Sequence, residues 1–182
     1  MVLTESTMVS LGSKAPYFSL PDTDGNNLSI ENFSKEILVV IFTCNHCPYA
    51  KAVEDRLIKL ANDYNSKVDF VLISSNDAEN YPEDSPEKMA ELAESKSYPF
   101  PYLFDETQEI AKKYGAVCTP DFFGYNNYLK LQYRGRFREL KDLKPINNGD
   151  SDLKVAMKMV AQTQKGPDEQ IPSMGCNIKW FN

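Results

Sequence analysis

Apolar and polar positions along this chain follow two different periods, and the switch between them marks its elements. Leu38-Val39-Val40-Ile41-Phe42 is an unbroken apolar run with the length and β-branched content of a strand buried on both faces. Ala50, Val53, Leu57, Ala61 and Tyr64 then recur at the spacing of a helix with one core-facing side. Val68 to Ile73 repeats the buried-strand pattern, and strand, helix, strand in that order predicts parallel pairing through a crossover helix. The expected core is therefore α/β.

Ahead of this unit, residues 10–34 carry Tyr17-Phe18-Ser19-Leu20 and Asn27-Leu28-Ser29-Ile30 around a Pro/Asp/Gly-rich turn, which predicts a β-hairpin. Behind it, the acidic block 76–97 opens a helix at Ser85-Pro86-Glu87: Ser caps, Pro suits the first helical position, and Glu suits the dipole. Its acidity makes it read as a solvated insertion beside the site. A short strand over 99–104 and a short helix over 107–114, closed by Gly115, come next. Phe122 to Tyr125 and Leu129 to Tyr133 flank Asn126-Asn127 as an antiparallel hairpin, with Phe122 and Phe123 as its core. The basic cluster Tyr133-Arg134-Gly135-Arg136-Phe137-Arg138 reads as a solvated strand end. Leu153, Ala156, Met157, Val160 and Ala161 predict a last amphipathic helix, and residues 167–182 an extended tail that docks on the body.

With 182 residues, 42% hydrophobic and 25% charged, the chain fits one domain with a core of its own. A net charge of −6 argues against a nucleic-acid surface, and no segment has the length of an apolar membrane span. The polar opening, Met1 to Lys14, has no apolar signal-peptide core, so a reducing cytoplasm is the expected setting. There, closely spaced cysteines are expected to be catalytic or metal-binding rather than structural.

That brings forward Thr43-Cys44-Asn45-His46-Cys47-Pro48-Tyr49, a Cys-x-x-Cys pair at a strand-to-helix junction. Unpaired N–H groups at a helix start favour a thiolate, the chemistry of dithiol/disulfide exchange. Cys44, expected to be the more exposed and dipole-facing sulfur, is the candidate nucleophile; Cys47, one turn in, is the candidate resolving thiol. His46, the chain's single histidine, lies between them and can stabilise a Cys44 thiolate by charge or hydrogen bond, or else simply face solvent. A closed zinc site needs four ligands, and beyond this pair only the isolated Cys118 and Cys176 remain, so no metal is expected. Cys118 reads as a small buried side chain or as a third thiol crossing the site, and Cys176 as a tail thiol that could resolve a disulfide if the tail folds over.

The order strand, Cys-x-x-Cys helix, strand, helix, Thr119-Pro120, hairpin, closing helix resembles the thioredoxin fold over most of the chain. The front hairpin, with Ala15-Pro16 and Asp24-Gly25, looks like the extension of the AhpC/TSA branch. Six separated motifs, among them Cys44-Asn45-His46-Cys47-Pro48-Tyr49, Tyr81-Pro82-Glu83-Asp84, Ala116-Val117-Cys118-Thr119-Pro120 and Pro172-Ser173-Met174-Gly175-Cys176-Asn177, are similar to the peroxiredoxin-like thioredoxin-family proteins. The resemblance implies a central mixed sheet flanked by helices, a cis Pro120 opposite the cysteines, and Thr119 backbone groups offered to an extended substrate.

It also implies a thiol–disulfide oxidoreductase without a dissociable cofactor, acting on protein or small-molecule disulfides and drawing electrons from a thioredoxin or glutathione system. A peroxiredoxin-like thiol peroxidase is the first alternative. Peroxiredoxins use Pro-x-x-x-Thr/Ser-x-x-Cys and a distant Arg; aligning Cys47 with the peroxidatic cysteine puts Cys44 at the hydroxyl position and Val40 at the Pro. A non-catalytic redox sensor or adaptor is the second alternative. Relative to thioredoxin, Thr43 replaces the Trp before the first cysteine and Leu38 stands where a buried Asp serves the resolving thiol, which leaves water or another carboxylate to take its proton.

Overall fold

The computed structural model describes residues 2–182. In chain order the strands are β1 (Leu3–Glu5), β2 (Ser19–Pro21), β3 (Asn27–Ser29), β4 (Ile37–Phe42), β5 (Val68–Ser74), β6 (Tyr102–Phe104), β7 (Cys118–Thr119), β8 (Asp121–Tyr125), β9 (Leu131–Gly135), β10 (Leu140–Lys141), β11 (Lys144–Pro145) and β12 (Met174–Asn177). The α-helices are α1 (Pro48–Asp63), α2 (Pro86–Ser95), α3 (Glu109–Tyr114) and α4 (Asp152–Thr163). Among the described residues, no helix is long and apolar enough to cross a membrane.

The central sheet runs β6-β5-β4-β8-β9. β4 pairs parallel with β5 and antiparallel with β8, so the sheet is mixed, as the thioredoxin resemblance implies. Every residue of β4 is buried because both its faces are covered. Ile37, Val39 and Ile41 pack with Val53, Leu57 and Leu60 of α1 and Leu153, Met157 and Val160 of α4. Leu38, Val40 and Phe42 point the other way, into Phe18 and Leu20 of the front hairpin and Ile110, Ala111 and Tyr114 of α3. The period-2 alternation of a strand thus divides one continuous apolar run between two cores. β2 and β3 form the expected hairpin, and α3 closes on Gly115 at φ 70°, a left-handed conformation glycine adopts without a Cβ penalty.

Two expectations are corrected. The acidic block is solvated only along its helix: α2 buries Met89 alone, but Asn76, Asp77 and Asp84 ahead of it are buried, and Asp84 has no exposure at all. The basic cluster is not a solvated strand end either. Arg134 is fully buried, its guanidinium 3.8 Å over the Phe123 ring and paired with Asp121, because β8 and β9 set Phe123 opposite Arg134 in the antiparallel ladder. Arg136 pairs with Asp152, and Arg138 donates to the carbonyls of Asn147 and Gly149.

The tail is extended and docked, as expected, but in a specific way. β12 lies between β1 and β7 in a second sheet, with Leu3 opposite Cys176 on one side and Thr119 opposite Cys176 on the other. Further along, Lys179 N–H donates to Asn76 Oδ1, and the Lys179 carbonyl accepts from Asp77 N–H and from Gln108 Nε2.

Candidate dithiol site

β4 ends at Phe42, and Thr43 N–H still reaches the Ile73 carbonyl at 2.9 Å. α1 begins at Pro48, a residue whose fixed φ and missing N–H suit the first helical position, so Cys47 becomes the N-cap. Cys44, Asn45 and His46 therefore lie on the connecting loop. This corrects the expectation that Cys44 faces the helix start with Cys47 one turn in: Cys47 is itself at the helix terminus and Cys44 lies ahead of it. Cys44 is the more accessible sulfur, though only 4% exposed, while Cys47 has no exposure.

Beneath the loop stands Asp84, at the end of a 3₁₀ turn over Pro82–Asp84. Its Oδ1 accepts the backbone N–H groups of Asn45 at 2.8 Å and His46 at 3.2 Å. Its Oδ2 contacts His46 Nδ1 at 2.5 Å and accepts from Asn76 Nδ2 at 2.8 Å. A buried carboxylate is costly unless its lone pairs are met, and these four contacts meet them. Asp84 holds the Cys-x-x-Cys loop by its backbone and the imidazole by its ring, which then stacks 5.8 Å from Tyr81 at 7°. His46 is therefore fixed rather than simply solvent-facing, with Nδ1 3.9 Å from Cys44 Sγ. Asp84 thus stands on the Cys44 side of the site and does not take the place of the carboxylate missing at Leu38, which would serve Cys47. Tyr102 completes the loop's support, its hydroxyl donating to Asn45 Oδ1 at 2.9 Å.

The two site thiols titrate as one unit. Cys47 is lowered to about 5, first by the hydrogen bond from Cys44 and, against the cost of burial, by contacts from Cys176, Thr119 and the Ala50 backbone in the first turn of α1. Cys44 is pushed far above the ordinary thiol range, by donating to Cys47, by burial and by the Asp84 charge. Of the two, Cys47 at the helix terminus has the lowered pKa and Cys44 the raised one, where the sequence points to Cys44 as the thiolate. When protonated, Cys47 faces the Thr119 carbonyl at 3.2 Å.

Thr119-Pro120 is a cis peptide bond, as the resemblance implies, and Thr119 Oγ1 lies 3.6 Å from Cys44 Sγ. The Thr119 strand is not open to an incoming peptide along its whole edge, because β12 of the same chain is paired there. That pairing brings Cys176 to 3.0 Å from Cys47, sulfur to sulfur, well beyond the roughly 2.05 Å of a disulfide. Cys176 is buried and its thiol is pushed up to about 12, by burial first and then by Cys47. Cys118 is the bland case: on β7 it is fully buried, and burial together with the Asp121 carboxylate raises its pKa. A groove of about 260 Å³ opens beside Pro120, with Tyr49, Val53, Phe122, Ile171 and Met174 among its walls.

Cys44, His46 and Asp84 bring ligand-type atoms within 4.8 Å of one another. The Asp84 oxygens are already taken by four internal contacts, one of them to His46 itself, so a metal would have to displace the hydrogen bonds that shape the loop.

A mixed sheet, a dithiol at a helix N-terminus and a cis-proline opposite it define a thioredoxin-fold thiol oxidoreductase of the peroxiredoxin-like kind. The AhpC/TSA family profile matches residues 11–138, and the chain belongs to that family. The curated relative "Putative peroxiredoxin Rv2521" of Mycobacterium tuberculosis is 32% identical over 123 residues, 67% of this chain and 74% of that protein. Among solved structures, an uncharacterized conserved protein from Geobacillus kaustophilus is 46% identical with a TM-score of 0.95, covering 100% of this chain and 97% of its own. The hypothetical protein SMc02350 from Sinorhizobium meliloti 1021 is 39% identical with a TM-score of 0.91, covering 98% of each chain.

Proposed function

We propose that this protein is a thiol–disulfide oxidoreductase in which Cys44 attacks a substrate disulfide and Cys47 resolves the product. The observation that carries the reading is the placement of the two cysteines at the start of α1, with Cys47 as the N-cap and Cys44 the more accessible, Cys44 Sγ 3.6 Å from Thr119 Oγ1 beside the cis Thr119-Pro120 bond; the pKa is raised at Cys44 and lowered at Cys47. As Cys44 attacks R–S–S–R′, its proton passes to the Cys47 thiolate; a Cys44–S–S–R mixed disulfide forms and R′S⁻ leaves. R′S⁻ takes the proton from Cys47, which then attacks Cys44 Sγ, closes the Cys44–Cys47 disulfide and releases RS⁻. His46, held by Asp84, keeps its ring Nδ1 3.9 Å from Cys44 Sγ, where it can meet negative charge as that charge develops on the sulfur. Protein or small-molecule disulfides are the substrates, the groove beside Pro120 receives their apolar flank, and a cytoplasmic thioredoxin or glutathione system returns the electrons.

A peroxidase reading has one observation in its favour: Cys47, the sulfur that aligns with the peroxidatic cysteine, is the one with the lowered pKa. Against it, Cys44 replaces the hydroxyl residue three positions earlier. The test is turnover of oxidised glutathione and of insulin, with dithiothreitol as donor, by the wild type and by Cys44→Ser. Turnover lost in the variant supports exchange. Rapid, saturable consumption of hydrogen peroxide that survives Cys44→Ser would replace exchange with the peroxidase.

A further inference from the structure

Cys176 has no part in the exchange described above, yet it is the nearest thiol to Cys47 outside the Cys-x-x-Cys motif. Its position is built rather than incidental. β12 is hydrogen-bonded on both edges, to β1 and to β7, and the backbone beyond it is tied down where Ile178 N–H meets the Val117 carbonyl at 3.0 Å. Ser173 Oγ anchors the other end on the Pro120 carbonyl at 2.6 Å. Between these ties, Gly175 passes so close to the Thr119 carbonyl that no side chain fits there. The strand thus lies antiparallel against the residue before the cis-proline, where the thioredoxin resemblance places a substrate strand, and it carries a cysteine opposite Thr119.

We propose that β12 is an internal substrate strand and Cys176 a third redox thiol, which exchanges into the oxidised Cys44–Cys47 pair to give a Cys47–Cys176 disulfide. This rests on the exchange reading of the Cys44–Cys47 pair. Cys176 Sγ attacks Cys47 Sγ; the Cys44–Cys47 bond breaks, the Cys47–Cys176 bond forms, and Cys44 leaves as a thiolate that takes up the Cys176 proton. One disulfide replaces another, so no outside oxidant is consumed. The 3.0 Å sulfur separation requires little strand movement. Once Cys47 is in a disulfide, its charge no longer opposes ionisation of Cys176, while the nearby Lys179 ammonium continues to favour it. The result returns Cys44, the accessible sulfur, to the thiol state while the oxidising equivalent is held in a buried bond.

The experiment oxidises the full-length protein with oxidised glutathione, quenches with acid, blocks remaining thiols with N-ethylmaleimide after denaturation, and maps disulfides by mass spectrometry, in the wild type and in Cys44→Ser. In the wild type, the Cys47–Cys176 species is expected within about tenfold of Cys44–Cys47, a gap of about 30 mV. In Cys44→Ser, Cys47–Cys176 should form alone. If the wild type yields Cys44–Cys47 only, the relay is refuted and exchange stands; a Cys47–Cys176 bond confined to the variant makes Cys176 a substitute resolver and refutes the relay equally. If the wild type closes neither bond, both readings fall.

Discussion

Gly175→Ala is the substitution that most directly probes the seating of β12. A Cβ built on Gly175 would stand 2.8 Å from the Thr119 carbonyl carbon, nearer still to its oxygen, and 3.4 Å from Pro120 Cδ. Ordinary van der Waals contact begins near 3.4 Å, so the carbon alone demands 0.6 Å of retreat and the oxygen demands more. The opposing atoms are backbone of β7, which is fully buried and runs through Pro120 directly into β8 of the central sheet, so β12 is the side that moves. Overpacking of this kind costs about 1–3 kcal/mol, or roughly 5–150-fold in the unfolding equilibrium. The same movement draws Cys176 away from Cys47, because residues 175 and 176 share one short, two-sided ladder. Urea unfolding of the reduced protein reads the first effect, and disulfide mapping after oxidation with glutathione reads the second. The expected result is a lowered midpoint at unchanged m-value together with a Cys47–Cys176 yield at least several-fold below wild type. A variant that is as stable as the wild type and closes Cys47–Cys176 equally well would refute the claim that contact with Thr119 sets this strand.

Other outcomes follow from the same geometry. Asp84→Asn removes the charge that meets four contacts, so stability should fall by about 2–4 kcal/mol in urea unfolding, and Cys44, no longer facing that charge, should be alkylated at lower pH than in the wild type; a pH profile identical to wild type contradicts the role of Asp84. The thiolate absorbance of the reduced protein should be present at neutral pH and disappear as pH falls through about 5, because Cys47 has a depressed pKa and is charged above it; Cys47→Ser should abolish that step, and a single transition near the ordinary thiol value would disprove the assignment. Arg134→Met leaves Asp121 buried without its cation and should cost about 3–5 kcal/mol by thermal or urea unfolding; near-wild-type stability would show that the pair is not needed.

The parts of the fold that could be read in advance are those whose signal is local. The run from Leu38 to Phe42, the helical spacing from Ala50 to Tyr64 and the Asn126-Asn127 turn each encode their element within a few residues, and β4, α1 and the β8–β9 hairpin are there. β1 was not legible, because three residues with no periodicity become a strand only through their pairing with β12. Arg134 was misread for a related reason. Its neighbours Arg136 and Arg138 make a basic cluster in sequence, but Asp121 and Phe123, which bury it, lie on the adjacent strand. Within the site, Cys44, His46 and Cys47 were marked by their motif. The lowering of Cys47 relative to Cys44 was not, since it depends on Cys44, Cys176, Thr119 and the Ala50 backbone meeting around one sulfur, which only the folded chain brings together. Asp84 was hidden in an acidic stretch whose composition suggests solvent; the one clue was its place in Tyr81-Pro82-Glu83-Asp84 immediately before the Ser85 cap.

Asp84 and Cys176 are far apart in sequence, yet the structure makes them depend on the same segment. A carboxylate without exposure persists only while its donors hold their places. Asn45 and His46 supply three of the contacts from the dithiol loop, and Asn76 supplies the fourth. Asn76 is itself oriented from its other end, where Oδ1 accepts the Lys179 N–H, three residues beyond Cys176. The tail therefore sets the site twice: β12 brings the third sulfur to Cys47, and Lys179 fixes the amide that completes the Asp84 carboxylate under Cys44. A movement that frees Cys176 from β7 would loosen Asn76 as well, since Lys179, whose N–H holds Asn76, is only three positions along the chain from Cys176. The dithiol loop and the strand that carries the third thiol are thus joined by one hydrogen-bond chain of Lys179, Asn76, Asp84 and His46.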